Sequence, residues 1–141
     1  TLVAVDATIG RGFLKALEEL DSRAGEGLQP RLRDMIRLRV SHLNGCHHSI
    51  RLHSESLARL GIRPDLIGAL ARPVRQIREG LASDGEVAAI RFAEVLTDAP
   101  RAVEAEAREH AGAFFNATQL GAIVETVATT NAWNRVTRGT D

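Results

Sequence analysis

Apolar side chains recur along this chain at intervals of three and four residues, which is the spacing of an α-helix that buries one face. The clearest early example begins at Pro30, a residue well suited to the first position of a helix, and should end at Asn44-Gly45. Its inward positions are Leu32, Met35, Ile36, Val40 and Leu43. The pattern therefore predicts a half-buried helix over residues 30–43.

A second helix is predicted directly after this stop, and its inner face mixes polar with apolar groups. It begins at Cys46 and ends at Gly61, since glycine commonly follows the last residue of a helix. Its inward positions are Cys46, Ser49, Ile50, His53, Leu57 and Leu60. A cysteine, a serine and a histidine thus share one face of this helix.

Capping signals mark the starts of two more helices. Ser83 with Glu86 has the form of a capping box, and Asn116 with Gln119 forms a second cap. The helix after Ser83 should bury Ala89, Phe92, Ala93 and Leu96. The last helix should turn Leu120, Ile123, Val124, Val127 and Ala128 to one face, which Asn131 then joins.

Shorter segments complete the set. A helix from about Gly10 to Arg23 is predicted to turn Phe13, Leu14, Leu17 and Leu20 inward. Pro64 begins a helix that continues to about Ala71, residues 72–82 form a connection with one helical turn, and Pro100 begins a short helix toward His110.

The fold class that follows is all-α. No alternating run longer than a few residues carries turn signals at both ends, so no strand is predicted. We expect about six to seven helices in a compact unit, with the cysteine at a helix N-terminus. A length of 141 residues suits one domain, taken as residues 1–141.

Composition narrows the class of protein. The net charge is zero, and basic residues are scattered among acidic ones, which argues against nucleic acid and membrane surfaces as partners. A single cysteine excludes a disulfide within the chain and agrees with a reducing compartment. The first ten residues lack the pattern of a secretory signal, and no apolar stretch approaches the ~20 residues that cross a bilayer. We expect a cytoplasmic protein.

Candidate chemistry is concentrated around the cysteine. Four of the five histidines lie within twelve residues that also contain Cys46. At a helix start, unpaired N–H groups and the helix dipole favour a thiolate over a thiol. Ser49 and His53 can meet Cys46 at one site. The alternative interpretation is structural, with Cys46 as a small buried hydrophobe and His53 as a hydrogen-bonded core histidine.

The preceding and the last helices can add to this site. Asp34 and His42 share a face of the preceding helix, and in an antiparallel hairpin Asp34 would lie near His53 and raise its basicity. Asp34 can equally be an exposed acid that balances Arg37 or Arg33. On the last helix, Asn131, Asn134 and Arg135 are interpreted as structural hydrogen-bonding groups. Trp133 is interpreted as a subunit contact or part of a second core face.

The run Arg37-Leu-Arg-Val-Ser-His-Leu-Asn-Gly-Cys46-His-His-Ser49-Ile-Arg-Leu-His53 resembles the AhpD core of the carboxymuconolactone decarboxylase family, whose signature is Cys-x-x-Cys followed by x-x-x-His. The ending Thr130-Asn-Ala-Trp-Asn-Arg135 is also similar to that family. The resemblance implies an all-helical fold that assembles as trimers or hexamers. It also implies a thiol-dependent peroxidase reaction on small hydroperoxides, with an external thiol reductant, no cofactor and no metal.

The resemblance also assigns roles by position. Cys46 corresponds to the resolving cysteine, Ser49 to the cysteine that attacks the hydroperoxide, His53 to the motif histidine and Asp34 to the relay acid, where the family has glutamate. His42, His48 and Asn131 are supporting candidates. Ser49 is the serious departure, because an alcohol lacks the nucleophilicity of a thiolate toward peroxide.

Three interpretations of Ser49 remain open. Cys46 acts alone and an outside thiol reduces it, or the protein has left redox chemistry, or the serine is an engineered replacement. Two other functions also stay open. One is a non-redox lyase or isomerase that uses His53 and an arginine such as Arg51. The other is a metal or small-ligand protein that uses His42, Cys46, His48 and His53.

Overall fold

Helices make up the regular structure of the chain. The structure, a computed structural model, describes residues 8–140. Within that range it contains seven α-helices, and no strand occurs there: α1 (Arg11–Arg23), α2 (Pro30–Leu43), α3 (His47–Arg59), α4 (Pro64–Ala69), α5 (Asp84–Thr97), α6 (Glu104–Ala111) and α7 (Ala117–Gly139). Short 3₁₀ helices, Val74–Gln76 and Arg101–Val103, precede α5 and α6. The all-α prediction is confirmed.

Helix α2 is central to the packing and contacts α3, α5 and α7. One side of α2 contributes to a core with α5, α6 and α7, in which Ile36, Val40 and Phe92 are buried. Its other side, with Met35 and Leu38, packs with α3, α4 and α5 in a second core. Because apolar groups on both sides leave water, each fully buried side chain stabilises the fold by about 1.5–3 kcal/mol.

A tight turn joins α2 to α3 and fixes the position of Cys46. Gly45 has a φ of 62°, a left-handed conformation that costs glycine little. The Gly45 N–H donates to the carbonyl of His42 and the Cys46 N–H donates to that of Ser41. These two bonds form a Schellman motif, so the end of α2 sets the backbone from which α3 begins.

The capping predictions for α5 and α7 are also confirmed. Ser83 and Glu86 bond reciprocally, as do Asn116 and Gln119. The segment from 72 to 82 contains its one turn of 3₁₀ helix, whereas α4 ends two residues earlier than predicted and α6 begins at Glu104, after a 3₁₀ turn. The predicted starts at Pro30 and Pro64 are correct, and of the proline-based starts only the one at Pro100 is displaced.

Several inward positions were predicted wrongly. Phe13 and Leu20 of α1 are exposed, because α1 packs against α7 along a narrow line on which only Leu17 is buried. Leu60 is exposed at the end of α3. Val124 and Ala128 of α7 are exposed as well, and Leu43 and Leu96 are only partly buried. The buried face of α7 runs instead through Ala122, Ile123, Thr126, Val127 and Thr130.

Two sequence-based predictions extend past the described residues. The predicted absence of a secretory signal rests largely on residues 1–7, and the ends of the proposed domain include residues 1–7 and 141, all of which lie outside the described range. Between residues 8 and 140, no helix has both the length and the apolar character that crossing a bilayer requires.

Candidate functional site

A cavity of about 130 Å³ lies between α2, α3 and α7. Three of the four predicted catalytic residues, Asp34, Ser49 and His53, line it, and so does the supporting candidate His48. The other lining residues are Asp21, Arg37, Leu52, Ser56, Arg59, Thr130, Trp133 and Thr137. The α2–α3 hairpin thus brings together groups that are far apart in sequence, while α7 supplies the opposite wall.

The Asp34 carboxylate is buried and fully engaged in hydrogen bonds. Ser56 Oγ donates to one oxygen at 2.6 Å, and Arg37 Nη1 donates to the other at 3.2 Å. Arg37 also binds Asp21, through the backbone carbonyl at 3.3 Å and the carboxylate at 3.5 Å. A buried charge needs such partners. Asp34 therefore balances Arg37, as the alternative interpretation expected, but it does so as a buried acid and not as an exposed one.

His53 is partly buried beside this cluster. Burial lowers its pKa from 6.5 to about 4; the charge of Arg37 adds to the effect, and Asp34 opposes it. The carboxylate therefore acts in the expected direction, but the predicted rise in basicity is wrong because desolvation outweighs it. The imidazole is neutral at pH 7 and can accept a proton at one nitrogen while donating at the other.

Cys46 lies behind Ser49 as seen from the cavity. Its sulfur donates to Ser49 Oγ at 3.3 Å, which is within the geometry of a sulfur hydrogen bond. Cys46 is only 2% exposed and is not among the residues of the cavity wall, whereas Ser49 is. The burial of Cys46 therefore agrees with the alternative interpretation of a small buried residue, and Ser49 Oγ is the group that links the sulfur to the cavity.

The supporting candidates have different positions. His48 lines the cavity, and its Nε2 is buried without a hydrogen-bond partner in the described residues. His42 lies outside the cavity wall; its pKa is lowered by burial and, to a lesser extent, by Arg39 and His47. Asn131 lines a separate groove between α5 and α7. Of the three, only His48 contacts the candidate site.

A network of amides holds the α2–α3 turn against α7. Asn44 Nδ2 donates to Asn131 Oδ1 at 2.9 Å and to Asn134 Oδ1 at 3.0 Å. Asn134 Nδ2 donates to Ser41 Oγ at 3.2 Å, and Ser41 supplies the carbonyl that accepts from the Cys46 N–H. The interpretation of these asparagines as structural groups agrees with these bonds, and the structure they support is the start of α3. Arg135 is exposed and bonds Asn131 at the edge of the network.

The sequence did not predict that α7 forms one wall of the cavity. Thr130, Trp133 and Thr137 are spaced by three and four residues and so lie on one face of the helix. Trp133, interpreted as a subunit contact or part of a second core face, is 7% exposed and lines this cavity. The spacing was visible in the sequence, but nothing in it indicated that this face would meet His53.

The described residues do not assemble a set of metal ligands of the kind that the metal hypothesis requires. Across residues 8–140 no group of three or more histidine, cysteine, aspartate or glutamate side chains is arranged to hold a metal ion. His42, in particular, is separated from the cavity that His48 and His53 line. The candidate metal ligands His42, Cys46, His48 and His53 are therefore not assembled as a metal centre.

Comparison with known proteins identifies one matching family and solved structures with the same fold. The model of the carboxymuconolactone decarboxylase family matches residues 11–95, more than half of the chain. A protein of unknown function from Agrobacterium tumefaciens, proposed to be the antioxidant defence protein AhpD, superposes with a TM-score of 0.78 at 24% identity, over 92% of this chain and 86% of its own.

A second solved structure has the same fold. An uncharacterised peroxidase-related protein from Silicibacter sp. TM1040 superposes with a TM-score of 0.74 at 22% identity, over 93% of this chain and 69% of its own. No curated protein matches the chain. At these identities the two structures establish the helical fold alone.

Proposed function

Because the chain belongs to the carboxymuconolactone decarboxylase family, we propose that it is an AhpD-like oxidoreductase that reduces small hydroperoxides with Cys46 as its redox thiol. The observation that carries the proposal is the hydrogen bond from Cys46 Sγ to Ser49 Oγ, at a cavity shared with His53 and the paired Asp34. The names of the two similar structures, antioxidant defence protein and peroxidase-related protein, agree with it.

The reaction that we propose begins with the Cys46 thiolate, which attacks the terminal oxygen of a hydroperoxide ROOH. The O–O bond breaks, the sulfur becomes a sulfenic acid, and RO⁻ takes up a proton to leave as the alcohol ROH. An external thiol then condenses with the sulfenic acid, releasing water and forming a mixed disulfide. A second external thiol restores the Cys46 thiol and leaves as a disulfide with the first.

The cavity groups have a definite part in this cycle. In the proposed cycle the thiol proton passes by way of the Ser49 hydroxyl and neutral His53 to the leaving oxygen in one concerted transfer, because an imidazole whose pKa is lowered to about 4 does not retain that proton. Asp34, held by Ser56 and Arg37, favours the partial positive charge that develops on His53 during the transfer. Because the sulfur is buried behind Ser49, Ser49 must change rotamer before a hydroperoxide can reach it, and we expect slow turnover.

The test is covalent trapping of the sulfenic acid. The reduced protein is mixed with tert-butyl hydroperoxide and dimedone, and the adduct is located by peptide mass spectrometry. We expect the label on Cys46, formed faster than on N-acetylcysteine at the same pH, and no label in Cys46→Ala. Labelling no faster than that of the free thiol would discard the thiol mechanism.

A second function, a non-redox lyase or isomerase, is favoured by one observation. The cavity wall carries Ser49 and the neutral imidazole of His53, but not the sulfur. A neutral imidazole that faces a cavity is suited to general acid–base chemistry. If this is the activity, it persists in Cys46→Ser and is lost in His53→Gln, whereas the thiol mechanism requires loss in both.

We also propose that residues 1–141 form one domain and that the protein is a homo-oligomer, a trimer or hexamer. Phe13, Leu20 and Val124 are large apolar side chains exposed on the neighbouring helices α1 and α7, and they support assembly because exposed apolar patches often mark interaction sites. Ala128 lines both the α1–α7 groove and the α5–α7 groove and connects the two areas.

A further inference from the structure

The cavity contains a concentration of polar atoms that lack partners. Within residues 8–140, six buried side-chain nitrogen and oxygen atoms have no hydrogen-bond partner, and five of them belong to residues of the cavity wall. They are Arg37 Nε, His48 Nε2, Thr130 Oγ1, Trp133 Nε1 and Thr137 Oγ1. Buried polar groups are almost always bonded, so five such atoms on residues that line one cavity indicate that a partner belongs at this cavity.

Three of these atoms, in Thr130, Trp133 and Thr137, belong to one face of α7. Thr130 is 3% exposed and Trp133 is 7% exposed, so both are held in place by packing and cannot turn to solvent. The indole N–H of Trp133 and the Nε–H of Arg37 can only donate. Whatever occupies the cavity must therefore offer oxygen or nitrogen lone pairs to them.

The size of the cavity and the charges of its wall limit which molecules can occupy it. One water needs a cavity of roughly 10–15 Å³, so about 130 Å³ accommodates several waters or a small organic molecule. Asp21 and Asp34 face Arg37 in ion pairs, and Arg59 brings the charges of the wall into balance. An anion would meet two carboxylates without an unpaired buried cation, so the wall favours an uncharged ligand.

We propose that Thr130, Trp133 and Thr137 form a binding subsite for the oxygen atoms of a small uncharged ligand, either the peroxide of an organic hydroperoxide or the carbonyl of a ketone or ester. The assignment rests on the proposed function in that it takes this cavity as the place where substrate binds. The hydroxyls and the indole N–H donate to the ligand oxygen, and the indole ring packs against its apolar part.

The chain provides its own reporter for this subsite. Trp133 is the only tryptophan and the chain has no tyrosine, so its emission comes from the cavity wall. Cys46→Ala protein, which cannot be oxidised at sulfur, is titrated with three probes that share a tert-butyl group. These are tert-butyl hydroperoxide, the ketone pinacolone and the anion pivalate.

We expect saturable emission changes with the first two probes and weaker binding of pivalate at pH 7. Thr130→Val and Thr137→Val, each in the Cys46→Ala background, should weaken binding of the uncharged probes by about three- to tenfold, the effect of one hydrogen bond. Thr129→Val is the matched control, because the Thr129 hydroxyl bonds carbonyls of its own helix. It should leave binding unchanged.

Several outcomes would overturn the assignment. Emission that changes only as free N-acetyltryptophanamide does would mean that the cavity holds water alone. Equal losses of probe affinity in Thr129→Val and Thr130→Val would show that the Thr130 hydroxyl has no specific role in binding. Tighter binding of pivalate than of the uncharged probes would contradict an uncharged ligand. Thermal unfolding followed by circular dichroism shows that each variant is folded before its probe binding is compared.

The outcome for this subsite is separable from that for the proposed function. If the probes bind saturably and Thr130→Val weakens their binding, the subsite is supported. This holds even when Cys46 of the native protein is not oxidised, a result that would contradict only the thiol mechanism. If Cys46 is oxidised but no probe binds saturably, the thiol mechanism stands and the subsite is wrong.

Discussion

At the scale of single residues, His53 shows how burial decides chemistry. Its pKa is lowered to about 4, so between pH 4 and 6.5 the unfolded chain binds a proton that the folded protein does not. Stability must therefore rise with pH across this window and be lost as the pH falls through it. The stabilising charge of Asp34 reduces this effect without reversing it.

The free energy of unfolding should therefore differ between two pH values. Between pH 7 and pH 4.5 the native protein should lose about 2 kcal/mol of stability through His53 alone. Urea unfolding of the native protein and of His53→Gln isolates this part, since other groups titrate equally in both. An identical pH dependence in the two proteins would contradict a neutral, buried His53.

Ser49 is the residue at which the sequence departs most from the family pattern, and its position gives a gain-of-function test. Ser49 Oγ is 3.3 Å from the Cys46 sulfur and faces the cavity. Ser49→Cys should therefore speed hydroperoxide reduction by at least tenfold and allow a disulfide between Cys46 and the introduced thiol, seen as loss of both thiols to Ellman's reagent. Ser54→Cys, which adds a thiol on the same helix outside the cavity wall, is the control, and equal rates in the two variants would refute the mechanism.

Much of the site could be predicted at this scale, and the remainder could not. Helical spacing was sufficient to bring Ser49 and His53 to one cavity wall, with Cys46 bonded to Ser49 behind that wall, and an antiparallel hairpin was sufficient to bring Asp34 toward them. The partners of Asp34 and the pKa of His53 depend on how deeply α2 and α3 bury each other. That depth is set by tertiary packing, which no local pattern contains.

At the scale of elements, the turn between α2 and α3 is the part most firmly specified by sequence. Asn44-Gly45 predicted the stop, and the Schellman bonds provide its physical basis. The contribution of α7 to this turn, through Asn134, is a contact across 90 positions of sequence. The sequence indicated that these asparagines bond within the structure, but not to which groups.

Loss of the Asn134 side chain should therefore loosen the turn. Asn134 is fully buried and bonds Asn44 and Ser41, so Asn134→Ala removes one of the two acceptors of Asn44 Nδ2 and the Asn134 donor to Ser41 Oγ. We expect a loss of about 1–3 kcal/mol in the free energy of unfolding, measured by urea denaturation. Arg135→Ala, on the exposed side of the same helix, should change it by less than about 0.5 kcal/mol. Similar small changes in both variants would show that the amide network contributes little.

The errors in the predicted helix faces have a common cause. Periodicity identifies an apolar stripe but not the width of the partner that covers it, so Phe13 and Leu20 were assigned to the core although α1 packs mainly against α7. Conversely, Thr126 and Thr130 are buried on α7 and were invisible to a count of apolar residues. Both threonines belong to the part of α7 that faces other helices.

At the scale of the whole molecule, the exposed apolar residues predict self-association. Val124 is exposed on α7 and lines the groove between α5 and α7. Val124→Asp should reduce the oligomer to smaller species in sedimentation velocity experiments. Val103→Asp is the matched control, because Val103 is similarly exposed but lies in the 3₁₀ turn before α6. A native protein that sediments as a monomer would contradict the proposal.

In the proposed mechanism the Cys46 sulfur, bonded to Ser49 behind the cavity that neutral His53 lines, reduces the hydroperoxide bond. The most direct measurement is a single turnover with reduced protein, one equivalent of tert-butyl hydroperoxide and no external thiol, in which the tert-butanol formed per chain is quantified. We expect one alcohol per Cys46 in the native protein and none in Cys46→Ala. The same yield of alcohol in both proteins, or no alcohol in either, would contradict this mechanism.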